Sequence, residues 1–427
     1  MSRRRGVFSR IGRKTLPTRT GDISSGNSLS GIYGINEIAV LKELDDWSLA
    51  ESISTGFDGS KTSSTTEILN VETYLSSSAT AGDTTISVND ATGLSSNDRI
   101  LIVQQEGTST TTGNWEYIGI GSVSGTTITL KESLSNTYTL GTATVVRVPQ
   151  YTTFNLNTGS SIQCTSYNGT YGGIIAIAAT TINFNGGSIN ATGKGFRGAY
   201  HNDPSQIGTF PHGGRGEGWT GSYNAGTTAQ AGGAGGGGQS GVGGGANGGG
   251  GGGAGHRSNG SAGGSNGSNG AGGQAGIAYG ETDLLTRATM GAGGSSGGRH
   301  DVVGVQDAGE GGGVVFLFAD NYTRSAASNI YSRGSDASRT GNYKGGTSGG
   351  AGGSILIVCG NAVTGSAAVN IYINQGGNAS GSNNGAASGT SSQGRFAYYG
   401  PSFTFTSSQT MDVNTSSFDL TKVKIGI

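Results

Sequence analysis

Charge, proline, cysteine and long apolar runs are all scarce in this chain, and each shortage closes off a class of structure. Charged residues make up 12% of 427 and leave a net charge of −1, so the self-repulsion that keeps highly charged chains disordered is missing. Five prolines and no strict every-third-residue glycine exclude a collagen triple helix. Two cysteines, Cys164 and Cys359, are too few for a disulfide framework. No apolar run approaches the roughly 20 residues that cross a bilayer, and the start, Met1-Ser2-Arg3-Arg4-Arg5, lacks the apolar segment of a secretory signal. Synthesis in a cytoplasm without a signal peptide, and no membrane insertion, are therefore expected. His201, His212, His256 and His300 form no i,i+4 pair and stand near no cysteine cluster, so neither a metal nor a cofactor is expected. No nucleophile elbow, Cys–His signature or Walker lysine occurs. Helix formers are sparse while Ser, Thr and Asn abound, which makes the expected class all-β.

Glycine is what the chain has instead. It numbers 86, and from Ala231 to Gly280 it fills 26 of 50 positions. Such a tract reads either as a flexible linker, since it buries nothing and loses the most entropy on ordering, or as a lattice of polyproline-II-like strands. In the lattice, bare backbones approach closely and hydrogen-bond to one another. Each bond nets only about 0.5–1.5 kcal/mol against roughly 1–2 kcal/mol of ordering per residue, so the ends must be held. The flanks offer a clamp. Gly172-Gly173 precedes Ile174–Ala179, Gly312-Gly313 precedes Val314–Ala319, and Gly352-Gly353 precedes Ser354–Cys359, each a glycine pair followed by a buried strand. Cys359 aligns with Ala179 and Ala319, which predicts a small buried core thiol.

Taken in order, residues 1–50 hold a basic arm and one short helix. Arg3, Arg4, Arg5, Arg10, Arg13 and Lys14 carry the arm, which has no aromatic platform or nucleic-acid motif, so a protein socket is expected and no nucleic acid. Asn36 caps a predicted helix whose narrow apolar face is Ile38, Leu41 and Leu44, followed by Trp47. Such a face needs a partner to cover it. Residues 51–80 read as a Ser/Thr-rich linker. Alternating short strands across 81–150 predict a small antiparallel barrel or sandwich, in which Trp115 and Tyr117 serve as a cross-strand aromatic pair. Residues 151–427 predict a glycine-rich β-solenoid or sandwich with an insertion at 199–310.

Two stretches resemble known proteins. Gly31-Ile32-Tyr33-Gly34-Ile35-Asn36-Glu37, continuing to Trp47, is similar to a segment near the start of structural proteins of tailed bacteriophages, except that Ile35 replaces the usual leucine. Residues 82–155, with Asp90-Ala91-Thr92-Gly93-Leu94, Gly113-Asn114-Trp115-Glu116-Tyr117 and Val145-Val146-Arg147-Val148-Pro149-Gln150-Tyr151, resemble a domain of phage tail-associated proteins that precedes a glycine-rich solenoid. Over about 170–395 the architecture resembles the adhesins that cap long tail fibres of some tailed phages. It departs from them in its long N-terminal extension.

The large side chains beside the glycines gather in two places. Tyr200, His201, Phe210, His212, Arg215, Trp219 and Tyr223 form the first, and Tyr279, Leu284, Leu285, Arg287, Met290, Arg299 and His300 the second. On stiff loops such groups contact glycans and protein surfaces, or they wrap the lattice against water. The resemblance implies a virion tail-appendage protein, and the lack of a catalytic signature among its residues makes it an expected non-enzyme. Its N-terminus would dock on other tail or baseplate proteins, and Tyr200, His201, Phe210, His212, Arg215, Trp219, Tyr223, Tyr279, Arg299 and His300 would meet a host surface glycan or outer-membrane protein. Homotrimers are common among such fibres. Two alternatives stand beside it: a purely structural virion component, and a polysaccharide depolymerase, for which Asp301, Asp307, Glu310 and Asp320 could supply a carboxylate pair.

Overall fold

The computed structural model describes residues 10–11, 14–15, 53–201, 213–220, 233–238, 248–266, 270–298, 306–339, 345–381, 385–401, 405–407 and 413–415. Among them there is no helix, and the fold is all-β. The expected helix and its face, Ile38, Leu41, Leu44 and Trp47, lie outside the described residues, as do Arg3, Arg4, Arg5 and Arg13. The chain divides into Met1–Glu51 and Ser52–Ile427. In the first unit, β1 (Arg10–Ile11) pairs antiparallel with β2 (Lys14–Thr15).

In the second unit, β3 (Ser60–Ser63) and β4 (Thr66–Ile68) lead into β5 (Glu72–Tyr74), β6 (Thr85–Ser87), β7 (Arg99–Gln104), β8 (Trp115–Ser124), β9 (Thr127–Leu130) and β10 (Ala143–Val148). The last six form an antiparallel sheet in the order β5-β10-β7-β8-β9-β6. A Leu75–Val88 bridge ties its two edges together, closing it into a barrel. The alternation read from the sequence fills the inside with Ile100, Ile102, Ile118, Ile120, Val145 and their neighbours.

The chain then winds in rungs. It runs through β11 (Gln150–Asn157), β12 (Ser161–Gln163), β13 (Ile174–Asn185), β14 (Ser188–Asn190), β15 (Tyr200–His201), β16 (Gln306–Asp307), β17 (Val314–Ala326) and β18 (Ser328–Tyr331). After β19 (Ser338–Arg339) come β20 (Ser354–Gly365), β21 (Val369–Tyr372), β22 (Arg395–Tyr399), β23 (Thr406–Ser407) and β24 (Val413–Thr415). Two parallel sheets result, ordered β24-β22-β20-β17-β13-β11-β3 and β23-β21-β18-β14-β12-β4. The three glycine-pair repeats fall in one register, with Ile174, Val314 and Ser354 side by side at one end and Ala179, Ala319 and Cys359 at the other. Cys359 is a buried free thiol.

Both faces of these strands are covered, which is why they read as continuous apolar runs rather than as alternations. Ile175, Val315, Ile355 and Phe396 pack between the two parallel sheets. Ile174, Ala176, Val314, Phe316 and Phe318 pack the other way, into a core shared with Leu101, Val103, Trp115 and Tyr117 from the outside of the barrel. The aromatic pair expected to brace the barrel therefore serves a different purpose. Trp115 and Tyr117 are two apart on one strand, share its outer face, and meet Phe316 and Phe318 with ring centroids 5.2–6.0 Å apart. The linker reading of 51–80 is also corrected. β3 and β4 are the first strands of the two parallel sheets, β5 is a barrel strand, and the Ile53 N–H donates to the Asp320 carboxylate at 2.8 Å. Their polar sequences suit edge positions that bury little.

The glycine segments complete the shared core from outside the rungs, and they hydrogen-bond with a period of three. Gly250 and Gly253 donate to Gly264 and Ser261 at 2.9 and 2.8 Å, while their carbonyls accept from Gly273 and Gly276 at 2.9 Å. Gly252 and Gly255 donate to Gly236 and Gly233 at 2.9 and 2.6 Å. Gly251 donates to Gly346 at 3.0 Å and accepts from Gly389 at 2.7 Å, and Gly249 accepts from Gly298 at 2.9 Å. One segment, 248–255, is thus bonded to six others. A Cβ placed on Gly250 or Gly252 would sit 1.8 Å from the Ala387 carbonyl oxygen or 1.9 Å from that of Gln274, so only glycine allows this approach. Where the glycine segments carry alanine instead, as at Ala234, Ala254, Ala292 and Ala351, the methyl belongs to the shared core.

Candidate functional site

Of the residues expected to meet a partner, Phe210, His212, Tyr223, Arg299 and His300 lie outside the described residues, and only the backbone placement of Tyr200 and His201 in β15 is described. Arg215 and Trp219 are half-buried. Trp219 packs against the shared core, and its carbonyl accepts the Gly107 N–H at 2.8 Å. Tyr279 is corrected. It is 6% exposed, its hydroxyl donates to the Met290 carbonyl, and its ring lies 5.0 Å from that of buried His256. Leu284 and Met290 join it in the core, and the Trp115 indole N–H donates to the Leu284 carbonyl at 2.8 Å. The described part of the second cluster fastens the glycine region to the barrel and leaves no ring free for a partner.

The structure assembles a different site around the loop between β12 and β13. The repeat strand β13 must start at a tight glycine pair, Gly172 and Gly173, with φ of +108° and +78°. The loop before it is held from both sides. From the barrel, the Gln105 side-chain amide donates to the Gly172 carbonyl at 3.1 Å, the Tyr167 hydroxyl donates to Glu106 at 2.7 Å, and the Thr165 hydroxyl donates to Glu72. Tyr171 stacks on Tyr74 with centroids 5.7 Å apart. From the start of the insertion, the Lys194 ammonium reaches the Ser166 hydroxyl at 3.2 Å, and Arg197 donates to the Asn168 carbonyl at 3.2 Å. Arg197 also holds both oxygens of buried Glu217, at 2.8 and 3.0 Å, and its own N–H donates to the same carboxylate at 3.0 Å.

Two carboxyls in this junction are displaced in the same direction. Burial pushes Glu72 up to about 7, against the Thr165 hydroxyl and the Ile174 N–H, which favour the ionised form. Burial, with the Glu217 charge adding to it, pushes Glu106 up to about 7 against the Tyr167 hydroxyl and Arg197. Burial also raises Glu310, while Lys194 and Arg197 oppose the rise, which places this one of the four acids named from the sequence near the junction. Asp320 is engaged by Ile53, Asp307 sits in β16, and Asp301 lies outside the described residues. The junction therefore offers a guanidinium 40% exposed, a tyrosine stack, amides and two carboxyls that titrate near neutrality, the groups that bind hydroxyl-rich ligands.

A carboxyl raised above its unfolded value favours the folded state most fully below pH about 4.5, and that contribution is lost as pH rises through about 7. Glu72→Gln keeps an acceptor for Thr165 without the charge. The variant is expected to match the parent at pH 5 and to exceed it at pH 8 by on the order of 2 kcal/mol in urea unfolding. Equal pH profiles for the two proteins would show that Glu72 is not desolvated.

Nothing in the sequence singles out Glu106, Tyr167 or Glu217. Their partners lie 61 residues apart for Tyr167 and Glu106 and 20 apart for Arg197 and Glu217, with no spacing rule linking them.

No family model and no curated protein matches the sequence. Among solved structures, the tailspike protein gp49 from Pseudomonas phage LKA1 aligns at 11% identity and a TM-score of 0.19, over 74% of this chain and 52% of that one. The Pseudomonas phage phi297 tailspike gp61 aligns at 12% and 0.18, over 80% and 49%. The Gp54 tailspike of Acinetobacter baumannii bacteriophage AP22, in complex with A. baumannii capsular saccharide, aligns at 11% and 0.18, over 82% and 61%. The chain spans about half to three-fifths of the length of these proteins. Scores at this level carry no argument, and the fold described above rests on its own register. The reading of the chain as a non-enzyme is nevertheless corrected. The neighbours found are tailspikes too weakly similar to decide it, and activity on a glycan is neither shown nor excluded.

Proposed function

We propose that the chain is a tail-appendage protein of a tailed phage that binds saccharide on the host surface, with its glycine segments packed as a polyglycine-II lattice that carries the binding loops. The carrying observation is the segment 248–255 with its six hydrogen-bonded neighbours, since a lattice bonded on all sides gives loops a stiff base where a linker would not. The lattice is pinned to the rungs. Gly313 donates to the Ala191 carbonyl at 2.9 Å and Gly353 to that of Ser332 at 2.8 Å, each just past the end of a rung strand. Tyr223, Arg299 and His300 belong to chain segments that link one glycine segment to the next, and Phe210 and His212 to the one that follows β15. The basic arm with Ile38, Leu41, Leu44 and Trp47 would dock on the virion, as the sequence resemblance implies.

Purified protein is expected to adsorb to host cells and to block infection when added in excess. Failure to adsorb would leave the structural-component reading. Release of soluble oligosaccharide from host polysaccharide would instead favour the depolymerase reading, for which Glu106 and Glu217 are the carboxyls to substitute. The lattice has its own check. Amides of Gly250, Gly252 and Gly253 are expected to exchange as slowly as those of β13, and exchange within seconds would reduce the tract to a linker.

A further inference from the structure

We infer that the outward face of the smaller parallel sheet is a binding strip for an uncharged polysaccharide chain lying across the rungs, with Tyr331 and Tyr372 as its stacking platform. The inference rests on the saccharide reading above and gives it a second location, away from the glycine loops.

The argument begins with register. The inward residues Ile162, Ile189, Ile330 and Ile371 lie side by side in the core between the sheets. Period two then sends their neighbours outward in straight rows. One row contains Gln163, Asn190, Tyr331 and Tyr372, and the other contains Asn329 and Asn370. All six are half-buried. Parallel sheets normally have both faces covered, and among the described residues no further strand layer is paired over this face.

The chemistry of the rows is uniform. From β12 to β21 they hold only hydroxyls, amides and phenols, and Arg333 stands at the border close enough to act on Tyr331. The two tyrosine rings stack on each other at 4.8 Å and 13°, which leaves one apolar face of each ring and their hydroxyl-bearing edges for a ligand. The Asn370 amide donates to Asn329 at 2.9 Å, fixing the plane of both groups. Among the described residues no hydrogen bond engages the Gln163 amide or the Tyr331 and Tyr372 hydroxyls, so their donors and acceptors are available to a ligand. A nucleic acid or a lipid headgroup would require cations that the rows lack, and a second protein copy would require apolar area. Pyranose rings, with one apolar face and hydroxyl edges, match a surface of rings, amides and hydroxyls.

The test compares the full chain with Tyr331→Ala/Tyr372→Ala and Tyr331→Phe/Tyr372→Phe on immobilised uncharged and anionic bacterial polysaccharides, beside host-cell adsorption and thermal unfolding. The parent is expected to bind uncharged chains and to keep that binding in 1 M NaCl, where exposed charge contacts are screened to about 3 Å. The alanine pair should lose at least about tenfold at near-parent Tm, and the phenylalanine pair less, because it keeps the stack. A parent that binds only anionic polysaccharide, or an alanine pair that binds as the parent does, overturns the strip. If that pair also adsorbs to cells normally, the saccharide reading survives without the strip. A parent that neither adsorbs nor binds any glycan overturns both.

Discussion

Alanine at Gly252 is expected to cost about 3 kcal/mol of stability, at the upper end of what overpacking usually does. The added Cβ would lie 1.9 Å from the Gln274 carbonyl oxygen, and that oxygen belongs to the main chain, so no rotamer change relieves the clash. Moving the strand does not relieve it either. Gln274 O accepts from Gly236 at 2.8 Å and Gly236 O accepts from Gly252 at 2.9 Å, so a retreat of either strand stretches its bond to the 233–238 segment. Elsewhere a Gly-to-Ala change gains about 0.4–1 kcal/mol by restricting the unfolded chain, which makes the sign of this effect informative. Gly121→Ala in β8 is the control, since its Cβ meets nothing closer than 3.4 Å. Thermal unfolding should show a fall of several degrees for Gly252→Ala and almost none for Gly121→Ala. An unchanged Tm for the first would mean that the segments are not packed as described.

Phe318→Ala is expected to cost about 3–5 kcal/mol and to separate two transitions that the parent shows as one. Phe318 lies in β17 with its ring 5.2 Å from Tyr117 and 6.0 Å from Trp115, so it joins the barrel to the rung sheet. Its loss leaves a cavity between rigid sheets that cannot close over it. Calorimetry together with Trp115 fluorescence would follow the barrel and the rungs separately. A single transition at the parent temperature would show that the Phe318 ring contributes nothing to the coupling.

The rung register was the most legible feature, and the reason is local. A glycine pair followed by a six-residue run, apolar throughout except for Ser354, recurs three times, and strands buried on both faces keep that run intact, so aligning the three repeats aligns Ile174 with Val314 and Ala179 with Ala319 and Cys359. The linker reading of 51–80 failed because Ser60–Ser63 and Thr66–Ile68 are edge strands with little to bury, and polar edge strands lack the periodicity that betrays a strand. Trp115 and Tyr117 were recognised as structural aromatics, yet alternation shows only that two faces differ. It does not say which body covers the outer one. Tyr279 is legible only in the fold, because an aromatic next to glycines looks stranded in sequence, whereas it fills a gap that bare backbones leave. The junction acids were invisible for a simpler reason, since Glu106, Tyr167 and Glu217 come from three separate parts of the chain.

By itself the sequence determined the all-β class, the repeat and its register, and the buried thiol at Cys359, because all of these follow from side-chain periodicity along one strand. Only the tertiary structure decided which glycine segment neighbours which, where the barrel docks, and how Glu72 and Glu106 come to share one loop. Glycine carries no side chain with which to name a partner, and a carboxyl has its titration set by the burial around it. Both properties belong to the assembled neighbours and to no residue alone.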